Sequence, residues 1–250
     1  MKREAHHDPG LVAKRRRLRT WRWLSTATTG KFGLLMMALI ALMASTPLII
    51  EGRTSNSFLV IFTGAVLVAS LHAARPGRGP VGIGLGLAVA DFLMGRLTAA
   101  YGSHTLIFVQ LSMWLATLVF VTATILESIF ESDEVTVETL QAALCVYLLM
   151  GVLGGFGYAL LDLSLPGSFE LAHGPAVDWS DAGSRSKEFV RLFVFSFSTL
   201  SGTSYTEIAP ATGFASNMSS LQAMAGQIYL AVVVARLVGV ETATSPREEK

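Results

Sequence analysis

Long uncharged apolar stretches, separated by short charged connectors, limit what this sequence can fold into more than any other feature. A hydrocarbon core about 30 Å thick needs roughly 20 helical residues to cross it, because no water satisfies backbone groups there. Six stretches have that character, at residues 32–50, 58–74, 81–101, 106–126, 140–161 and 218–238. With 52% hydrophobic and 15% charged residues, the chain is too apolar for an ordinary soluble domain. The sequence therefore predicts an all-α membrane protein with six transmembrane helices.

A seventh apolar run, at residues 189–200, is too short to span and predicts a re-entrant helix between the fifth and sixth spans. A helix that stops partway points its C-terminal dipole, worth about half a negative charge, at the membrane centre, where cations are stabilised. The chain must then return as non-helical backbone, which membranes tolerate only where protein buries it or where it lines a watery path. This arrangement predicts a pore.

Positive charges predict the orientation, because cytoplasmic flanks retain Lys and Arg during insertion. Six crossings with the first tail inside give a cytoplasmic excess, formed by the cluster at 14–22, Arg75, Arg78 and Arg236. The opposite side keeps Arg53, Arg96, Arg185, Lys187 and Arg191. We expect both termini in the cytoplasm, and the basic cluster at anionic lipid rather than at nucleic acid. The long tail before the first apolar stretch disfavours a cleaved secretory signal.

These features divide the chain into five parts. They are a basic cytoplasmic tail (1–31), a four-helix transmembrane domain (32–126), an acidic cytoplasmic linker (127–139), a pore domain (140–240) and a cytoplasmic tail (241–250). The fourth span contains no Lys or Arg. A voltage sensor needs several such charges, because each gains only about 2.3 kcal/mol per 100 mV. Voltage gating by this helix is therefore not expected.

Ionisable residues inside the predicted spans are candidates for function, because a charge there costs at least about 2.5 kcal/mol. Asp91 lies near the middle of the third span, and His72 lies near the cytoplasmic end of the second. A proton or ion relay is one interpretation. An interhelical hydrogen bond that fixes packing is the simpler one, and we favour it for Asp91. The single cysteine, Cys145, lies in an apolar run and is expected to behave as a small hydrophobe.

Glycines cluster in two predicted spans, at positions 82, 84 and 86 and at positions 151, 154, 155 and 157. Close helix packing explains them better than a nucleotide-binding loop, which would follow a strand in a soluble fold. The sequence shows no Ser/His/Asp arrangement, metal-ligand spacing or phosphate loop. An enzyme, a metal site and a bound cofactor are therefore not expected.

The segment FVFSFSTLSGTSYTEIAP, at residues 193–210, lies between the last two spans. It resembles the tetrameric potassium-channel superfamily, specifically bacterial six-span members with one pore unit per chain. The matching residues are Phe195, Ser196, Phe197, Thr199, Leu200, Tyr205, Ile208 and Pro210, with Glu207 in place of an aspartate. Residues 221–239 look like the family's inner helix, with Gly226 at its hinge glycine, and CVYLLMG (145–151) and PGSF (166–169) also match in style.

The resemblance implies a homotetramer in a bacterial inner membrane, with Phe195, Ser196, Thr199 and Leu200 on the pore helix. It places the selectivity filter at Gly202, Thr203, Ser204, Tyr205 and Thr206, where the family has TVGYG. Carbonyl rings that replace the potassium hydration shell need positive φ values, which glycine adopts freely and Ser204 and Thr206 do not. Gly202 also removes a hydroxyl ring. We predict a wider filter, lined partly by the hydroxyls of residues 203, 204 and 206, with weak or absent potassium selectivity and K⁺ or Na⁺ as permeant ions.

Acidic residues surround this predicted filter. In a tetramer, Glu207 would form a ring of four carboxylates at the outer mouth, or would brace the filter through hydrogen bonds. Residues 162–207 also carry Asp162, Glu170, Asp178, Asp181 and Glu188 against Arg185, Lys187 and Arg191, a net charge of −3 per chain. Fourfold repetition predicts an acidic vestibule that concentrates cations.

Three functions remain open at this stage. The first is a homotetrameric, poorly selective cation channel in contact with lipid. The second is a nonconducting scaffold or regulatory membrane subunit of the same architecture. The third is a transporter or membrane enzyme that uses Asp91 and His72.

Overall fold

The protein is mainly helical in the part that the structure describes. The computed structural model describes residues 31–50, 78–131, 136–171, 179, 182–203 and 207–244. The helices are α1 (Lys31–Ile50), α2 (Arg78–Tyr101), α3 (His104–Phe130), α4 (Val137–Ser164), α5 (Ala182–Ser201) and α6 (Gly213–Thr244), and the strands are β1 (Phe169–Leu171) and β2 (Ile208–Pro210). The predicted all-α class is confirmed. The predicted span at 58–74 and His72 lie outside the described residues, as does most of the basic tail.

Among the described residues, three helices are long and apolar enough to cross a membrane. They are His104–Phe130, Val137–Ser164 and the Gly213–Arg236 part of α6. In α1, the residues Phe32–Thr46 are apolar. Helix α2 carries Asp91 and Arg96 within a glycine-rich sequence. Three of the predicted spans thus have the length and composition of membrane helices.

Helix ends differ from the predicted boundaries by a few residues. Helix α3 continues to Phe130 and is capped at Glu131, so the predicted linker begins inside a helix. Helix α4 begins at Val137, because Thr136 is its N-cap and the Thr136 side chain accepts a hydrogen bond from the Thr139 amide at 3.2 Å. Hydropathy alone does not locate such caps.

Helix α4 is the centre of the fold, since it packs against α1, α3, α5 and α6. Its buried residues include Leu149 and Phe156, which join the core of α3 and α5. A series of aromatic contacts continues this packing, from Trp114 on α3 to the Phe156 ring at 5.4 Å and from there to Phe189 on α5 at 4.9 Å. Helix α2 packs on the far side of α3.

The lone thiol belongs to this core. Cys145 is fully buried on α4. Its Sγ donates a weak hydrogen bond to the Phe32 carbonyl oxygen on α1 at 3.6 Å. Cys145 is therefore a packing residue, as the sequence predicts.

A tight turn and a small sheet follow α4. Pro166 and Gly167 turn the chain, with Gly167 at φ +83° and the Ser168 amide donating to the Leu165 carbonyl at 3.1 Å, as in a type II turn. Strand β1 then pairs antiparallel with β2, with Phe169 opposite Pro210. Because β2 directly precedes α6, the end of α4 and the beginning of α6 lie at the same end of the molecule.

Candidate functional site

Helix α5 runs antiparallel to α4 and ends near its midpoint. The Ser196 hydroxyl donates to the Gly151 carbonyl oxygen at 2.6 Å, and the Tyr147 hydroxyl donates to the Leu200 carbonyl oxygen at 3.3 Å. Gly151 lies near the middle of α4, whereas Leu200 is one residue from the end of α5. The apolar half of α5 therefore descends along one half of α4 and stops there.

The same end of α5 meets α6 near the midpoint of that helix. A Cβ atom at Gly226 would lie 2.5 Å from the Leu200 carbonyl oxygen, so only glycine allows this approach. Helix α6 continues without a break through Gly226. Gly226 thus has a packing reason in this structure, while its role as a hinge stays a prediction.

A buried line of hydrogen bonds joins α4, α5 and α6. Tyr158 donates its hydroxyl to the Gln222 side-chain carbonyl, and Gln222 Nε2 donates to Ser196 Oγ at 2.7 Å. Ser196 in turn donates to the Gly151 carbonyl. Gly154 leaves the space for this line, since a Cβ there would be 2.1 Å from Gln222 Nε2. We call it the Gln222 network, and each of its side-chain polar atoms has at least one hydrogen-bond partner.

The predicted pore-helix residues lie in the core of this region. Phe195 is buried, and its ring contacts those of Tyr158 at 5.2 Å and Phe169 at 5.6 Å. Ser196 and Leu200 are fully buried, and Thr199 is half-buried. These side chains fix α5 between its neighbours.

Helix α5 ends in a Schellman motif built on Gly202. Gly202 has φ +74°, its amide donates to the Thr199 carbonyl at 3.1 Å, and the Thr203 amide donates to the Ser198 carbonyl at 3.0 Å. Glycine is favoured there because its φ lies in the left-handed region. The residue that replaces the family's first filter threonine therefore terminates the helix.

The Thr203 hydroxyl is turned back toward this helix end. Thr203 Oγ1 lies 3.1 Å from Ser198 Oγ and 3.2 Å from Ser201 Oγ. Ser201 and Thr203 are both exposed, so this small hydroxyl group is open to its surroundings. The next three predicted filter residues, Ser204, Tyr205 and Thr206, lie outside the described residues.

Glu207 is the first described residue after the predicted filter, and it lies beside Arg191 on α5. Arg191 Nε is 3.4 Å from Glu207 Oε2, and Arg191 Nη1 is 2.8 Å from Glu188 Oε1. The Glu207 side chain is 70% exposed. Both predicted roles, attraction of cations and bracing of the loop, are compatible with this position.

Two of the acidic residues predicted to line the vestibule are buried in the structure. Asp162 is completely buried and accepts hydrogen bonds from the Phe169 amide at 3.1 Å and from Trp179 Nε1 at 2.7 Å, so it anchors β1 instead of facing solvent. Glu188 is also buried. Of the predicted acidic set, the described residues leave Glu170 and Glu207 exposed, and Asp178 and Asp181 lie outside them.

Helix α6 is covered on one side by the rest of the chain. Its buried and half-buried stripe contains Ala215, Met218, Ser219, Gln222, Gly226, Tyr229, Val233 and Arg236. At 100° per residue, the opposite side carries a set of exposed residues that we call the open face: Asn217, Ser220, Met224, Gln227, Ala231 and Ala235. Large apolar side chains flank it: Phe214, Leu221, Ile228 and Val232. The open face combines amides, a hydroxyl and small residues within an otherwise apolar helix.

Asp91 joins α2 to α3 through a single side-chain contact. The Thr117 hydroxyl donates to Asp91 Oδ2 at 2.9 Å, and Asp91 is buried. This is the interhelical hydrogen bond that the sequence analysis favours for Asp91.

Sequence reasoning missed Gln222, and it counted Arg191 only among the outer-side cations set against the acidic vestibule. Both carried a signal, because a polar amide in an apolar stretch and a cation beside the predicted filter each need a partner in a membrane. Their partners are distant in the sequence, so the pattern does not name them. No family model, curated protein or solved structure matches this chain. The residues themselves must therefore carry the functional argument.

Proposed function

We propose that this chain is the subunit of a homotetrameric cation channel of potassium-channel-like architecture, with weak or absent potassium selectivity. One observation carries the proposal: α5 ends at the midpoint of both α4 and α6, while the two ends of the loop meet in the β1–β2 sheet. If α4 and α6 cross the membrane, the C-terminal dipole of α5 points at its centre, where it stabilises a cation.

The length of the return segment supports the same arrangement. Gly226 lies roughly 20 Å from Gly213 along α6, at about 1.5 Å per residue. Residues 202–207 reach about 20 Å when extended, at roughly 3.3 Å each. A segment of that length covers the depth only if it is extended, and a membrane tolerates non-helical backbone only where protein buries it or where it lines a watery path.

The open face of α6 also favours a water-filled lumen. Asn217 and Ser220 are exposed, and Gln227 is exposed with its amide beside Gly202 at the end of α5. Amides that face lipid are expensive, and polar residues in membrane helices normally face a bundle interior or water. Four copies of α6 around an axis would turn this face inward, and their apolar flanks would pack against neighbouring subunits.

Incomplete burial of α6 supports an assembly of several copies. In the apolar stretch of α6, 11% of the residues are buried by the chain itself, against 61% in the apolar stretch of α4. Two helices of similar apolar character therefore differ in how much of their packing the single chain supplies. A homotetramer supplies the rest, and it also encloses the path that one loop cannot enclose.

The filter sequence GTSYT favours low selectivity. Gly202 caps α5 and contributes no hydroxyl, and the Thr203 hydroxyl is shared with Ser198 and Ser201. Fewer oxygens are then free to replace the hydration shell of K⁺ in a fixed geometry. We expect K⁺ and Na⁺ to permeate with similar ease.

The test is cation flux from purified protein in liposomes, with reversal potentials measured between K⁺ and Na⁺. Flux above that of empty liposomes, with a reversal potential near zero when K⁺ on one side faces an equal concentration of Na⁺ on the other, supports the proposal. Flux equal to that of empty liposomes across several ions and gating conditions contradicts it. An image of the assembly in which α5 faces lipid, or of a single protomer, also contradicts it.

A nonconducting scaffold or regulatory subunit is the second candidate. The amide and the hydroxyl of Thr203 both contact Ser198 at the end of α5. These contacts favour the second candidate, because a loop that passes no ions needs no free hydroxyl groups. A tetramer that forms in the membrane and passes no ions would support this candidate instead.

A further inference from the structure

Arg191 lies between two carboxylates, one on its own helix and one that directly follows the predicted filter. Its Nη1 contacts Glu188 at 2.8 Å, and its Nε faces Glu207 at 3.4 Å. The two carboxylates differ in exposure, since the Glu188 side chain is 8% exposed and that of Glu207 is 70% exposed. A single guanidinium therefore links the body of α5 to the end of the return segment.

The two ends of the contact between Arg191 and Glu207 differ in burial. Arg191 Nε is buried and makes no hydrogen bond of good geometry to any residue that the structure describes. A buried donor is costly when unpaired, and the Glu207 carboxylate is the acceptor that faces it. The planar fork of arginine suits two carboxylates at once, whereas lysine is a point charge on a flexible stem. Glu207 is the mobile partner, because it is exposed and α5 is packed.

We propose that Arg191 is a positioning residue that holds the Glu207 carboxylate to one side and keeps the predicted outer mouth from capturing divalent cations. This inference rests on the proposed function, because it assumes four Glu207 carboxylates around one axis, which we call the 207 ring. Glu188, Arg191 and Glu207 together carry a net charge of −1 per chain. Without Arg191, the carboxylates of the 207 ring are free to converge on one ion.

The chemistry of the ligand follows from that geometry. Ca²⁺ is bound by six to eight oxygens, and carboxylates are its preferred charged ligands. Four unrestrained carboxylates offer up to eight oxygens, whereas carboxylates tied to guanidinium groups offer fewer and carry less net charge. The 207 ring in the natural chain thus attracts monovalent cations without retaining Ca²⁺.

The experiment measures block of K⁺ flux by external Ca²⁺ in liposomes. We expect Arg191→Gln to lower the half-blocking Ca²⁺ concentration by about tenfold or more at low ionic strength, where the Debye length is long. Lys187→Gln is the matched control, since it removes the same charge from the same helix at an exposed position. We expect it to change the half-blocking concentration by less than about twofold, because it leaves the contact between Arg191 and Glu207 in place.

Two further variants test positioning against a general field effect. The double variant Arg191→Gln/Glu207→Gln should lose the added Ca²⁺ block, since the ring no longer holds carboxylates. Arg191→Lys, which retains the charge without the fork, should lie between the natural chain and Arg191→Gln. Equal effects of Arg191→Gln and Lys187→Gln, or a Ca²⁺ block that persists in the double variant, overturn the proposal.

A measurement without ion flux separates this inference from the proposed function. Thermal unfolding of the detergent-purified protein is compared for Arg191→Gln, Glu207→Gln and the double variant. If Arg191 holds Glu207, the two losses are less than additive. Additive losses overturn the positioning role even in a protein that conducts, whereas non-additive losses in a protein without flux retain it and contradict the channel instead.

Discussion

Two helix contacts in this molecule use polar groups in opposite ways. The α2–α3 contact has separate side-chain hydrogen bonds, from Thr117 to Asp91 Oδ2 and from Thr98 to the Leu106 carbonyl, and Asp91 Oδ1 has no hydrogen-bond partner among the described residues. At the junction of α4, α5 and α6, the Gln222 network satisfies each of its groups and spans three helices. A linked and satisfied network fixes a unique arrangement, whereas an isolated bond tolerates change. We therefore expect substitutions at the junction to have large effects and those at the α2–α3 contact to have small ones.

The largest effect is expected for Gln222→Leu, which breaks the network at its centre. It removes the acceptor of the Tyr158 hydroxyl and one of the two hydrogen bonds of Ser196, and an unpaired buried group costs about 1–3 kcal/mol. We expect about 3 kcal/mol of destabilisation, measured as a fall in the thermal unfolding temperature in detergent. Gln227→Leu is the matched control, because it makes the same change on the open face of the same helix. Equal losses in the two variants would contradict the network.

The next effect is expected for Gly226→Ala, which brings a Cβ within 2.5 Å of the Leu200 carbonyl oxygen. Overpacking against backbone costs about 1–3 kcal/mol, partly offset by the higher helix propensity of alanine. We expect a net loss of about 1–2 kcal/mol in thermal unfolding. Gly239→Ala serves as the control, since a Cβ there meets nothing within 4 Å. A stabilised Gly226→Ala variant would show that α5 does not end against α6.

An effect of similar size is expected for Gly202→Thr, which places a β-branched residue at φ +74°. Such strain costs about 1–3 kcal/mol, and Gly202→Asn should cost less because asparagine tolerates this region better. If Gly202 caps α5, thermal unfolding should show the natural chain as the most stable, Gly202→Asn as intermediate and Gly202→Thr as the least stable.

A potassium-selective filter in this chain should therefore keep Gly202 and change Thr203 to Val and Ser204 and Thr206 to Gly. The reversal potential should then move toward that of K⁺.

The smallest effect is expected for Asp91→Asn. Asparagine retains an oxygen that accepts the Thr117 hydroxyl, so we expect less than about 1 kcal/mol of change and cation flux within about twofold of the natural chain. Asp91→Leu removes the acceptor and should cost more. Loss of flux in a stable Asp91→Asn protein would favour the transporter or enzyme interpretation over the channel.

The helices were predictable from the sequence because hydropathy depends on local composition. Spacing alone also placed the short apolar run at residues 189–200 between two long apolar stretches. The capping role of Gly202 was not predictable in the same way. Glycine at that position fits both a filter that lacks its threonine and a helix end, and only the backbone hydrogen bonds of Thr203 and Ser198 separate the two.

Burial of charged residues was the least predictable feature. Asp162 belongs by sequence to an acidic region, yet it is buried because the Phe169 amide and Trp179 supply its hydrogen bonds. The β1–β2 pairing was missed for a similar reason, since strands of three residues leave almost no periodic signal. Contacts between distant residues decide both features, and a local pattern does not contain them.

The inaccessible thiol of Cys145 makes the natural chain a convenient background for chemical labelling. A thiol-reactive probe has no other cysteine to modify, so an added cysteine at each residue of α6 in turn would give a signal of its own. Water-soluble reagents would react fastest along a lumen and slowest where subunits touch. Such a scan would map the wetted side of α6 residue by residue, without any prior mutation of the protein.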